Sequence, residues 1–138
     1  MIDRILVAYD GSPPADKAFE YALALAARFT AELHVLAVAR PPEPADDVET
    51  EAVLENATEH FEKLFVSMRA KAAAGAVSPV FEIVVGHPAQ QIIDQAEARR
   101  VDQIVMGHRG KTFLQRWLVG SVSKQVIDHA HCAVTIVR

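Results

Sequence analysis

Short apolar runs and helical stripes alternate five times along this chain, and that alternation excludes most folds. The runs RILVAYD (4–10), ELHVLAVA (32–39), VFEIVV (80–85), DQIVMG (102–107) and CAVTIV (132–137) are nearly continuous, as strands buried on both faces should be. Between the first two, Ser12-Pro13 is a helix start, Asp16 suits the positive end of the helix dipole, and Phe19, Ala22, Leu23, Ala26 and Phe29 recur at helical spacing. Leu54, Ala57, Phe61, Leu64, Phe65, Met68 and Ala72 stripe the longest expected helix, which runs from about 48 to about 74 and ends at Gly75. Ala89, Ile92, Ile93 and Ala96 share a face after the Gly86-His87-Pro88 turn, and a last helix is expected from Ser121 to about His129. Strand and helix in strict alternation predict one α/β domain, a mostly parallel sheet with helices on both faces and right-handed crossovers. At 138 residues and 51% hydrophobic, the chain can bury such a core without disulfides or structural metal.

Several classes are disfavoured by the same sequence. No apolar stretch is long enough to span a bilayer, and MIDRILVAYD lacks the basic and apolar regions of a secretory leader. Cys132 is the only cysteine, so no intrachain disulfide forms and a cytoplasmic location is expected. The net charge of −4 argues against a nucleic-acid partner. The charge is unevenly spread: Glu43 to Glu62 holds eight acids and no Lys or Arg, whereas Arg99 to Arg138 holds seven bases against Asp102 and Asp128. Two solvated faces of opposite sign explain this, and a small anion would be better received by the C-terminal third.

In open parallel sheets, ligands bind beyond the carboxyl ends of the strands. Those ends are Ala8–Gly11, Val38–Arg40, Gly86 and Met106–Gly110. Gly110-Lys111-Thr112 looks like the tail of a P-loop, but that motif needs a glycine at position 105, where Val105 sits inside a strand. A different arrangement fits: Gly107 closes the fourth strand, Gly110 follows, and Gly120-Ser121 comes after nine intervening residues. A glycine turn and the first turn of the last helix then offer two sets of backbone N–H groups to one anion, with Arg109 and Lys111 to offset charge.

These residues fit G-x2-G-x9-G-[ST], and on them the chain resembles the nucleotide-binding subgroup of the universal stress protein family. ILVAYDGS, GHPAQQII, DQIVMG and GSVSKQVIDHAHCAVTIVR carry the likeness along the whole length. The resemblance implies one domain over residues 1–138, with an adenine nucleotide α-hydrolase-like, Rossmann-like sheet of order 3-2-1-4-5. It also implies ATP at the carboxyl edge, with Mg²⁺ or Mn²⁺ carried by the phosphates. By that resemblance Asp10 lies near ribose and adenine, Ala8 borders the base, Val38 reads the adenine edge and Met106 lines the base pocket. Gly107, Gly110, Gly120 and Ser121 take the phosphates, and Val122 extends the last turn. The pair His108-Arg109 departs from the family's frequent Ser-His, and Arg109 either adds phosphate affinity or narrows the mouth. A homodimer through the last strand, Cys132 to Val137, is also implied; an apolar edge strand invites such pairing on its own.

Plainer roles stand beside these. Asp10 is either a turn former or a ligand contact, and Ser121 caps the last helix whether or not phosphate is present. Phe113, Leu114, Trp117 and Leu118 either cover the sheet edge or form a lid. Six histidines show no metal-ligand spacing, so no dedicated metal site is expected, and Cys132 reads as packing. The expected function is a nucleotide-dependent regulator or switch in stress response, not an enzyme, with slow ATP hydrolysis at most. The alternatives are an adenine-nucleotide-handling enzyme of the same superfamily or a nucleotide-free interaction module.

Overall fold

The structure is a computed structural model that describes residues 1–43, 47–108 and 113–138, with residue 47 and residues 113–120 described by backbone only. In chain order the elements are β1 (Arg4–Ala8), α1 (Pro13–Phe29), β2 (Glu32–Ala39), α2 (Asp47–Ala72), β3 (Val80–Val85), α3 (Pro88–Ala98), β4 (Gln103–Gly107), α4 (Phe113–His129) and β5 (Ala133–Val137). All five strands are parallel in one sheet of order β3-β2-β1-β4-β5, as the family resemblance implies. The winding reverses at β1, which pairs Ala8 with Leu36 of β2 on one side and with Met106 of β4 on the other.

Strand periodicity sorts the core into two layers. Ile5, Val7, Leu33, Val35 and Val105 point to α1 and α2, where they meet Phe19, Phe61 and Phe65. Leu6, Leu36, Ile104 and Met106 point the other way, onto Ile92 and Ala96 of α3 and Val126 of α4. Ile5, Leu6 and Val7 are wholly buried, which is why this strand reads as a continuous apolar run. Asp102 ties the opposite edge together, its Oδ2 accepting from the backbone N–H groups of Asp3 (2.7 Å) and Arg4 (3.0 Å). Those two bonds hold the carboxyl below the usual carboxylate range.

Two of the boundaries that differ from expectation bear on the site. β1 stops at Ala8 because Asp10 and Ser12 fold back on each other. The last helix begins at Phe113 rather than Ser121, so the expected start at Gly120-Ser121 is inside α4. The physical reason is that no proline interrupts residues 113–120, and a single glycine in a helix costs only about 1 kcal/mol relative to alanine.

Candidate functional site

The site grows out of the turn after β1. Asp10 Oδ1 accepts from the Ser12 backbone N–H at 3.0 Å and from the Ser12 hydroxyl at 2.5 Å, an Asx turn with Gly11 at φ 81° between them. Ser12 Oγ in turn accepts from the Ala15 N–H at 3.3 Å, capping α1. Beneath the turn, the buried Tyr9 hydroxyl donates to Asp16 Oδ1 at 2.5 Å. Burial, followed by that bond and the charge of Asp16, pushes the Tyr9 phenol above its ordinary range. The start of α1 therefore has little left for an anion. Pro13 and Pro14 carry no N–H, the Ala15 N–H goes to Ser12 Oγ, and the Asp16 N–H goes to the Ser12 carbonyl at 3.0 Å.

Above this turn a cavity of about 240 Å³ opens at the carboxyl edge, where the winding reverses. Ala8, Asp10, Val38, Met106, Gly107 and Val122 all line it, brought together from β1, β2, β4, α4 and the first turn. One wall is an apolar slot made by Ala8, Leu36, Val38 and Met106 of the sheet facing Ile92 of α3 and Val122 of α4. Its polar side chains are Tyr9, Asp10 and Ser12 beside β1, Arg40 beyond β2, and Ser123 of α4. Tyr9, Ser12, Ala15, Leu36, Arg40, Pro88, Ile92 and Ser123 also line it and are not among the expected contacts. The signals for two of them were present: Arg40 ends the second strand run, and Ile92 belongs to the α3 apolar stripe.

The glycines do not all fall where the motif suggests. Gly107 is closed in by α1: a Cβ there would lie 2.4 Å from the Pro14 carbonyl carbon, 2.5 Å from its oxygen and 2.8 Å from the Ala15 nitrogen. Gly107 is thus required for strand–helix packing before any ligand is considered. Arg109 and Gly110 lie outside the described residues, as does Lys111. Gly120 is within the α4 backbone. Ser121 is exposed inside α4 and does not line the cavity, whereas Val122 and Ser123 do. Ser121 is therefore not the cap of this helix, because eight helical residues precede it.

A second cleft, about 470 Å³, lies at the amino edge between the end of α1 and residues 76–80. Although larger, and lined by Thr30, Glu32, His34 and Ser78 as well as by small apolar side chains, it sits at the edge opposite to ligand sites in such sheets. Beside it Arg99 pairs with Glu82 and approaches His34 Nδ1 at 3.4 Å. Burial, then Arg99, holds the His34 pKa below its ordinary value. Among the described residues, no three His, Cys, Asp or Glu side chains are grouped as metal ligands, and no helix is long and apolar enough to cross a membrane. Cys132 is half-buried among the apolar side chains of the α3–α4 layer.

The sequence model of the Universal stress protein family matches residues 1–138. The chain belongs to the universal stress protein family. A universal stress protein of Methanocaldococcus jannaschii is 33% identical over 142 residues, covering 98% of this chain and 81% of that protein. The solved universal stress protein UspA from Lactobacillus plantarum superimposes with a TM-score of 0.90 at 29% identity, covering 99% of this chain and 98% of that one. The universal stress protein from Archaeoglobus fulgidus solved in complex with dAMP has a TM-score of 0.73 over the full length of both chains. At 19% identity, that last likeness is one of fold.

Proposed function

We propose that this universal stress protein binds an adenine nucleotide in the carboxyl-edge cavity and works as a nucleotide-dependent regulator or switch in stress response. The observation that carries the reading is the convergence of Ala8, Asp10, Val38, Met106, Gly107 and Val122 on one cavity from separate parts of the sequence. The slot between Ala8, Val38, Met106 and Val122 suits a flat purine, and Asp10 suits ribose hydroxyls. The proline-rich start of α1, flanked by Asp10 and Asp16, cannot take the phosphates. They are assigned to the β4–α4 side, where Gly107 of β4 and Val122 and Ser123 of α4 line the cavity; Ser121, off the cavity, is not among the proposed contacts. ATP is the proposed ligand, with Mg²⁺ or Mn²⁺ carried by its phosphates. The dAMP complex of the Archaeoglobus protein shows that a chain of this fold takes an adenine nucleotide.

Slow turnover at most is part of the proposal. Asp10 is assigned to the ribose and Asp16 accepts from Tyr9, on the side of the cavity away from the phosphates, which leaves neither to orient an attacking water there. The enzyme alternative requires a donor-rich loop after β1 to hold a triphosphate, and Pro13-Pro14 supplies none. β5 is bonded on one side by β4 and is the proposed homodimer strand, from Cys132 to Val137, in a cytoplasmic protein. Mass spectrometry of nucleotide released from the purified protein, together with ATP titration in Mg²⁺, tests the reading. Co-purifying or saturably bound adenine nucleotide supports it; no nucleotide and no saturable binding at millimolar ATP would refute it.

A further inference from the structure

Arg40 is the one cation that lines the cavity among the described residues. It lies one residue past the end of β2, on the same side of the strand as Leu36 and Val38, which line the apolar slot. Its side chain is exposed, and among the described residues no carboxylate pairs with it; the nearby Glu43 instead faces His87 at 3.9 Å. A guanidinium presents only donors, in a rigid fork.

Sheet order decides which part of a nucleotide this fork faces. β2 and β4 flank β1, so Arg40 stands about two strand spacings, roughly 10 Å, from the β4 end where the phosphates are assigned. It faces the base end. Adenine offers an amino donor at position 6, so on this edge a donor-only side chain finds the single acceptor N7. A 6-oxopurine offers O6 and N7 together, the pair of acceptors that an arginine fork takes in bidentate fashion. From this geometry we propose that Arg40 reads the base edge and extends the ligand range of this pocket to 6-oxopurine nucleotides. The inference rests on the nucleotide reading of the site and names a specificity determinant within it.

ATP and ITP differ at the purine 6-position and the N1 proton, which makes them the appropriate probes. The wild-type chain and the Arg40→Ala and Arg40→Lys variants are titrated with each in Mg²⁺, and melting curves confirm that the exposed substitutions leave the fold intact. Arg40→Ala is expected to weaken ITP about tenfold while ATP stays within about twofold. Arg40→Lys keeps the charge but loses the fork, so it is expected to lose most of the ITP affinity as well. Equal weakening of both nucleotides, or of neither, overturns the proposal while leaving the nucleotide site standing. Lysine restoring ITP binding fully also overturns it, because charge alone would then suffice. If wild-type protein binds neither nucleotide, the site reading fails and this proposal fails with it.

Discussion

Replacing Gly107 by alanine separates packing from ligand binding at the first motif glycine. The added Cβ would meet the Pro14 carbonyl carbon at 2.4 Å, and reaching an ordinary contact of 3.4 Å requires β4 and the start of α1 to part by about 1 Å. The obstacles are backbone atoms, so no rotamer change relieves them. Overpacking of this kind costs about 1–3 kcal/mol. For a domain of this size that corresponds to a drop in Tm of roughly 3–10 °C. The assay is thermal unfolding of the nucleotide-free protein, with Gly75→Ala as the control. A Cβ at Gly75 meets only the Ala72 carbonyl oxygen, at 3.7 Å, and should leave Tm nearly unchanged. If Gly107→Ala melts within about 1 °C of wild type, the close approach of β4 to α1 is wrong, and Gly107 would be required only for a ligand.

Two further outcomes follow from the same geometry. Tyr9→Phe removes the hydroxyl that donates to Asp16 and should lower unfolding free energy by about 1–2 kcal/mol in urea titration; an unchanged midpoint would show that the bond contributes nothing. The carboxyl of Asp102 is depressed in the folded state, so its stabilising contribution is present above the ordinary carboxylate pKa near 4 and disappears as pH falls through the lower folded value. Asp102→Asn should therefore melt lower than wild type at pH 7, with the gap closing under acid; a gap independent of pH would contradict the assignment.

The strands were legible because burial on both faces leaves an uninterrupted apolar signature, clearest in Ile5-Leu6-Val7. The order of the strands was not contained in those periodicities and came from the family likeness of the glycine motif and the first and last blocks. In the sequence Asp10 suits a turn and a ligand contact equally; the structure shows it forming the turn while also lining the cavity. The start of α4 was misplaced because Gly120-Ser121 is a good local helix signal, and local signals do not reveal that the preceding eight residues are already helical. The packing role of Gly107 was hidden for a related reason. Its constraint comes from Pro14, ninety-three positions away in sequence, which the crossover brings against the end of β4. Arg40 reads from the sequence as a strand end, but its place in the lining of one cavity with Pro88 and Ile92 depends on the turn into α3.

Backbone amide NMR during titration with ATP and Mg²⁺ tests the central claim most directly, because the two clefts lie at opposite edges of the sheet. The proposed site predicts saturable shifts concentrated on Ala8, Asp10, Val38, Met106, Gly107 and Val122. Shifts confined to Thr30–His34 and Ala76–Val80 at the amino edge, or no saturable change at all, would contradict it.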